Sequence, residues 1–358
     1  MISRQVLESL VEKGILAPSA DNLQPWKFHL RGETIALYLD PQRCSEIADA
    51  GHRASYLSLG AVIENIALAA SHEGLSITVH PFPQGESIDR PVATLTLKPS
   101  KEPEDLLYRQ IEARVTNRKF YHGKPVPEET VNRLVQMGTI PGRSRLLFVG
   151  PGKTKNELTR LIGAADQIRF EVEKPHGEFF KAMRFKREEA ERAKDGIDLR
   201  GLELDLPQRL FFRFISKWER MRWLNRLGMG VSFNLYAQLQ VRSSPLVGLL
   251  TAENNSPLDD LQGGRIMERV LLKIAQVGLS VQPMMGIPIF IINLQVNGGR
   301  FFSPAQRAEL LKIKERFFHL FDLNGRAGLI MLFRMGYAPP PTCRSLRRPL
   351  ADFLIEER

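Results

Sequence analysis

"YLSLGAVIENIALAASHEGL", residues 56–75, is the stretch on which the fold turns. Its apolar residues run round most of a helix instead of forming one stripe, and Gly74 supplies a stop, so the spacing predicts a core helix buried on most sides. A second segment, "GRIMERVLLKIAQVGL" at 264–279, closes on Val-Gly-Leu much as the first closes on Glu-Gly-Leu. The elements around both follow one order: helix, turn, strand, buried helix, strand. An order repeated in this way points to a tandem duplication. The first copy is read as residues 1–110 and the second as 111–358, with a helical insertion at about 165–242 in the second.

In the first copy, residues 6–15 have helical spacing. Residues 26–30 and 34–39 alternate on either side of Arg31-Gly32-Glu33, as two strands joined by a tight loop do. Residues 76–80 and 92–97 read as strands and 103–113 as a helix. In the second copy a helix starts at Pro127-Glu128-Glu129, where proline and acids suit a first turn. Residues 143–150, 244–252, 287–295 and 328–335 read as strands, and 304–320 as a helix. The class is α+β. Inside the insertion, residues 209–226 are expected to form one amphipathic helix, with Phe211, Phe214, Ile215, Trp218 and Met221 on one stripe and Arg209, Arg213, Lys217 and Arg220 on another. Such a helix packs over its own protein or lies on a membrane surface.

The 358 residues are 43% hydrophobic and 25% charged, an ordinary globular composition with more length than one small core absorbs. Cys44 and Cys343 lie near opposite ends, so neither a disulfide framework nor a CxxC metal knuckle is expected, and a reducing cytoplasm fits. The start, "MISRQVLESLVEKG", lacks the apolar core of a secretory signal, and the most apolar run, "IPIFIINL" at 287–294, is too short to cross a bilayer. A soluble cytoplasmic protein without a transmembrane segment is the expectation. The net charge of +10 points to an anionic partner, with cations crowded at 184–226 and at Arg344, Arg347 and Arg348. Nucleic acid has only this charge in its favour, without a helix-turn-helix, zinc finger or aromatic platform, so no specific nucleic-acid partner is expected. The histidines are scattered singly, and GxSxG, HExxH, Walker and GxGxxG motifs are absent. Neither a metal site nor a protein nucleophile is expected.

Two loops carry ligand-facing chemistry. "APSADNLQPWKFHL" at 17–30 places Ser19, Asn22 and Gln24 in a turn that, as a connector, needs none of them together. "RVTNRKFY" offers the Arg114 and Arg118 forks, the Thr116 hydroxyl and the Asn117 amide ahead of a helix start, a set suited to a phosphate. The alternative is a solvated basic turn.

These segments resemble the FMN-dependent nitroreductase family. "APSADNLQPWKF" is similar to that family's flavin-contacting turn, "RVTNRKFY" to its Arg-x-Ser/Thr-x-Arg phosphate loop, "AQVGLSVQPMMG" to its helix-to-strand segment along the flavin edge, and "RMGYAPPPTCRSLRRPL" to its terminal arginine segment. A single-domain member carries the phosphate loop first and the "QPW" turn shortly after. Here the first copy has the turn without the loop, and the second the loop without the turn, which resembles the tandem, Acg-like branch. The resemblance implies a nitroreductase-like three-layer fold, a monomer acting as a pseudo-dimer with further pairing open, and one FMN per chain. It places Arg114, Thr116 and Arg118 at the phosphate and ribityl end, with Arg347 and Arg348 as further phosphate cations. Pro18, Ser19 and Asn22 approach the ring from the first copy. Pro283, Met284, Met285 and Gly286 run along the opposite edge, with Met285 where the family often has an acid, while Gln24, Pro25 and Trp26 fix the turn. The implied activity is transfer from NAD(P)H through FMN to a small quinone- or nitroaromatic-like acceptor, the flavin carrying the chemistry. The alternative is a flavin-storing or redox-sensing protein, in which the inserted helices close over the ring.

Overall fold

The computed structural model describes residues 2–356. Ser3 caps the first helix, its Oγ accepting the Val6 N–H at 3.3 Å and so satisfying an amide that a helix start leaves unpaired. That helix, α1 (Arg4–Gly14), buries Leu7, Leu10 and Val11. β1 (Trp26–Arg31) and β2 (Thr34–Leu39) pair antiparallel, with Trp26, Phe28 and Leu30 turned inward at period two. α2 (Arg53–His72), β3 (Leu75–Pro81) and β4 (Ala93–Pro99) complete a sheet of order β1-β2-β4-β3.

The second half opens with α3 (Glu128–Gly138) and β5 (Ser144–Val149). A helical excursion follows: α4 (Lys153–Glu171), α5 (Glu173–Lys181), β6 (Met183–Arg184), α6 (Arg187–Ala193), β7 (Ile197–Asp198), α7 (Leu206–Ile215), α8 (Trp218–Asn225) and α9 (Gly230–Ser243). The chain then returns through β8 (Leu246–Ala252), α10 (Pro257–Gln276), β9 (Ser280–Pro283), α11 (Gly286–Asn297), α12 (Pro304–Leu320) and β10 (Gly328–Gly336). The second sheet has the order β5-β8-β10-β9. In both sheets the strands therefore stand first, second, fourth, third, with a helix of 20 residues between the second and third.

Those two helices cross at glycines. A Cβ on Gly60 of α2 would collide with the Leu261 carbonyl of α10, and a Cβ on Gly264 of α10 would collide with the Leu57 carbonyl of α2. Leu57 and Leu261, Gly60 and Gly264, Glu64 and Glu268, and Gly74 and Gly278 all stand at one constant sequence offset, so the contact is reciprocal, as across a two-fold axis. Gly74 and Gly278 end the two turns at φ of +67° and +71°, a conformation that favours glycine.

One apolar core runs from Trp26 and Phe28 through Val62 and Ile66 of α2 and Val270 and Ile274 of α10 to Leu250 and Phe333 of the second sheet. The layers are thus sheet, crossed helices, sheet. A second core seals the far face of the second sheet, where Leu249 and Leu332 meet Leu161, Phe290 and Phe317. Residues Ala50–His72 have the length and hydropathy to cross a membrane, but 83% of that window is buried inside the protein, as in a core helix.

The structure departs from the sequence expectations in four places. Residues 287–295 form helix α11 instead of a strand, because a run that is apolar on every side has no period to decide between the two, and Pro288 suits a first helical turn. The helix expected at 103–113 contracts to a 3-10 turn, Leu106–Gln110, capped by Asp105 through the Leu107 N–H at 3.0 Å. The single helix expected at 209–226 breaks between α7 and α8, where the Ser216 Oγ turns back on the Arg213 carbonyl at 2.8 Å. The buried helix expected from 264 begins at Pro257, behind a capping box of Ser256 and Asp259.

Candidate functional site

The turn between α1 and β1 is held in an unusual backbone. Asp21, Asn22 and Gln24 take φ of 48°, 57° and 56°, left-handed values that cost side-chain-bearing residues free energy and persist where surrounding bonds over-determine them. Those bonds are present. The Ser19 Oγ accepts the Gln24 N–H at 3.0 Å; the Gln24 Nε2 donates to the Lys194 carbonyl at 2.9 Å, and its Oε1 accepts the Arg348 N–H at 3.0 Å. Trp26 is fully buried beside Phe353, their rings 6.1 Å apart.

Arg347 forms the base of this turn. Its guanidinium donates to the carbonyls of Ile15, Leu16 and Ala17 at 2.8–3.0 Å and to the Asn22 Oδ1 at 2.8 Å. Arg114 donates to the Leu16 carbonyl at 3.0 Å and lies 3.4 Å from Glu268. Asn22 donates to the Leu346 carbonyl at 3.1 Å, and the Arg348 guanidinium bonds Asp352 at 2.9 Å. Arg114, Asn22, Arg347 and Arg348, all expected to face the ligand, are therefore engaged in holding the turn, and none of them lines the cavity described next. The physical reason is the terminal segment. It returns to the first sheet, where Phe28 and Phe353 and then Ile355 and Phe28 exchange backbone bonds at 2.8 Å, and this carries its arginines beneath the turn.

The turn faces a cavity of about 360 Å³, within the size range of small-molecule sites. Pro18 and Ser19 line it from the first half, and Thr116, Arg118, Pro283, Met284, Met285 and Gly286 from the second. The basic loop is fixed beside β9 by the Asn117 N–H, which donates to the Val281 carbonyl at 2.9 Å, and by a bridge between Thr116 and Val281. The floor is apolar, with Leu57, Met267 and Met331. Phe170, Phe212, Phe233 and Tyr236 of the inserted helices form the opposing wall.

Polar groups that sequence reasoning missed also line the cavity. Arg169 pairs with Asp166 at 3.3 Å beside the start of α11, where a Cβ on Gly286 would lie 3.2 Å from the Arg169 Nη2. The two stand one helical turn apart, a spacing legible in sequence only once α4 is known to face the cavity. Asp21 is enclosed, and burial raises its carboxyl pKa against the opposing pull of Arg169 and Arg118. Arg334, fully buried, ties the walls together, donating to Gln282 Oε1 at 2.7 Å and to the Lys119 and Gln240 carbonyls at 2.7 and 3.0 Å. Burial holds its pKa down to about 10.

Arg118 is the exceptional cation. Burial lowers its pKa, yet its side chain keeps part of its surface because it opens onto the cavity. Its guanidinium makes one long bond, 3.3 Å to the Gly201 carbonyl, and no carboxylate stands within ion-pairing distance among the described residues. Asp21 acts on it only from beyond contact distance, and an enclosed charge without a contacting counter-charge is costly, so this position favours an anion.

Cys44, Asp49 and His52 come together elsewhere, their ligand atoms within 4.8 Å of one another. Asp49 is committed to the Ser55 N–H and Oγ at 2.9 and 2.5 Å, and burial pushes the Cys44 thiol up to about 12.

Beneath the turn, burial drives Glu268 up to about 7 from 4.5, although Arg114 opposes the shift. Asn65 donates to it at 3.1 Å when its amide is oriented to accept the Ala17 N–H as well. The folded chain therefore binds more protons here than the unfolded chain across that interval, and stability falls as pH rises through it. Asp260, pushed up to about 6 by burial, adds a slope of the same sign. Thermal melts from pH 5 to 8 are expected to show a falling midpoint, and Glu268→Gln should flatten the part near neutrality. An unchanged slope in the variant would assign the titration elsewhere.

No protein-family model matches the chain. It is 27% identical over 347 residues to an uncharacterized protein of Mycobacterium tuberculosis, covering 95% of this chain and 47% of that protein. It is 34% identical over 83 residues to acg of the same species, provisionally named an NAD(P)H nitroreductase, covering 23% of this chain and 25% of acg. The chain thus spans about half the length of the first of these relatives and aligns with a quarter of the second. Among solved structures it is similar to the FMN-dependent nitroreductase NfnB of Mycobacterium smegmatis in complex with NADPH, with TM-score 0.38, 17% identity, and coverage of 70% of this chain and 97% of that one. It is also similar to an iodotyrosine deiodinase bound to FMN and 3-iodo-L-tyrosine, with TM-score 0.36, 15% identity, and coverage of 68% and 96%.

Proposed function

We propose that this nitroreductase-like chain binds one FMN in the cavity between the Ser19 turn and the Pro283–Gly286 segment, and works as an NAD(P)H-dependent oxidoreductase on a small acceptor of quinone or nitroaromatic type. The observation that carries the reading is Arg118, a cation opening onto the cavity without a carboxylate partner. A ligand with an anionic tail and a planar, largely apolar ring suits that donor set, since Leu57, Met267 and Met331 and the Phe170, Phe212 and Phe233 rings supply apolar surface between the polar groups. Arg118 and Thr116 would take the phosphate end. Ser19 and the Met284–Gly286 backbone would border the ring. Bound there, FMN would supply reversible electron transfer between the nicotinamide and the acceptor.

The chain's own contribution is positioning. The strained turn, clamped by Arg347 and Arg114, presents Ser19 at a fixed place. Arg169, paired with Asp166 at the head of α11, adds fixed hydrogen-bond donors to the wall. The repeated strand order and the reciprocal glycine crossing support a fused chain that imitates a dimer, with halves near 1–110 and 111–358. The turn belongs to one half and the phosphate loop to the other, which supports one site per chain.

The storage reading retains one observation in its favour: Phe212, Phe233 and Tyr236 of the inserted helices already form a wall of the cavity. Two measurements separate the readings. Flavin released by denaturation should approach one FMN per chain, and a value near two would sink the single-site proposal. Anaerobic mixing of the yellow protein with NADPH or NADH should bleach its absorbance. Bleaching by dithionite alone would favour storage.

A further inference from the structure

The inserted helices are apolar on two sides. Their inner sides carry Ile215 and Met221, both fully buried, and Phe212 and Phe233, which line the cavity. Their outer sides remain open. On α7, Leu206, Leu210 and Phe214 recur at every fourth residue and are 69%, 58% and 46% exposed. Trp223 on α8, Leu227 in the turn after it, and Val231, Leu235 and Leu239 on α9 are exposed as well, the last three again at every fourth residue. Rows of this kind need a covering, because isolated apolar side chains are ordinary on a surface and ordered rows are not.

Cations flank the rows. Between residues 206 and 227 the chain has Arg209, Arg213, Lys217, Arg220, Arg222 and Arg226 against the single acid Glu219. Arg209, Arg213 and Arg220 donate to carbonyls of Leu204, Phe185 and Phe214, and Arg220 also lies 4.8 Å over the Phe214 ring. Among the described residues none of the six forms an ion pair with a carboxylate. Two copies meeting through this face would bring these cations opposite one another, a like-charge contact that opposes self-association. A neutral apolar partner would leave them without counter-charge. A surface that is both apolar and anionic answers both features.

We propose that the outer face of α7, α8 and α9 docks on an anionic lipid bilayer, with the leucines and Trp223 entering the headgroup boundary and the arginines meeting lipid phosphates. The proposal does not depend on the identity of the cavity's ligand. Docked in this way, the cavity wall formed by Phe212 and Phe233 stands one helix thickness, about 10 Å, from the lipid.

The test is co-sedimentation of the full chain with phosphatidylcholine vesicles and with mixed phosphatidylcholine–phosphatidylglycerol vesicles, alongside Trp223 fluorescence read against Trp223→Phe. Partitioning to the mixed vesicles with a blue shift of Trp223, weakened by added salt, is expected. The triple variant Arg213→Gln, Arg222→Gln, Arg226→Gln should lose about a hundredfold in partition coefficient, at roughly 1 kcal/mol per cation near such a surface. Leu227→Ser with Leu235→Ser should lose about tenfold or more, as buried apolar area is removed. These side chains are exposed, so the variants are expected to fold, which circular dichroism checks. Failure to bind either vesicle overturns the proposal, as does equal binding to both with no response to the charge variant. A concentration-dependent dimer in sedimentation velocity, abolished by the leucine variant without vesicle binding, also overturns it and assigns the face to a second copy.

Discussion

Arg118→Ala is expected to weaken FMN binding about a hundredfold, the effect of removing charge-assisted hydrogen bonds to a phosphate in an enclosed site. Riboflavin, which lacks the phosphate, should bind the wild type and the variant almost alike. The contrast between the two ligands matters more than the size of the loss. Arg118 reaches the cavity with a single long bond to the Gly201 carbonyl, so its removal leaves few protein partners unsatisfied. Arg347→Ala should behave differently. It strips the donors from three successive carbonyls and from Asn22, so the turn relaxes, stability falls, and both ligands weaken together. Titration calorimetry with each ligand on both variants distinguishes the roles. An equal loss of FMN and riboflavin in Arg118→Ala would remove this residue from the phosphate.

The largest effect on stability is expected from Gly264→Ala. Its new methyl group would meet the Leu57 carbonyl of the partner helix, a backbone atom fixed in its own helical ladder, so relief requires the two helices to separate. Their interface lies at the centre of the core that joins both sheets. Overpacking there should cost about 3 kcal/mol or more. Gly60→Ala should cost a similar amount, because its methyl group meets the Leu261 carbonyl. Gly177→Ala in α5 is the control: nothing lies within 4 Å of its Cβ, and a gain of about 0.5–1 kcal/mol is expected from helix propensity alone. Urea denaturation of the three variants reads all of these values. If Gly264→Ala matched Gly177→Ala, the crossing would be looser than the geometry requires.

Much of the architecture was legible as period and punctuation. The alternation in "WKFHL" gave β1, the all-round apolarity of 56–75 gave a core helix, and the shared Gly-Leu endings drew attention to α2 and α10. These are local signals, set by which side chains avoid water and where a left-handed residue is tolerated. The run at 287–295 was not legible, because burial on every side erases the difference between a strand and a helix.

The residues of the two polar loops divide along the same line. Residue types marked the loop at 17–22 as polar and the loop at 114–118 as polar and positively charged, and that depended on sequence alone. Which arginine opens onto the cavity and which ties down a carbonyl depended on where the terminal segment crosses, and that crossing is fixed by long-range bonds between Phe28 and residues 353 and 355. Arg114 and Arg118 are alike to a reader of the chain. Only packing separates them, because a guanidinium bonds whatever acceptor the tertiary fold brings within 3 Å: for Arg114 a backbone carbonyl under the turn, for Arg118 open cavity. The sequence by itself determined the elements, their repeat and the chemical character of the loops. The tertiary structure decided which charges are spent on the fold and which open onto the cavity.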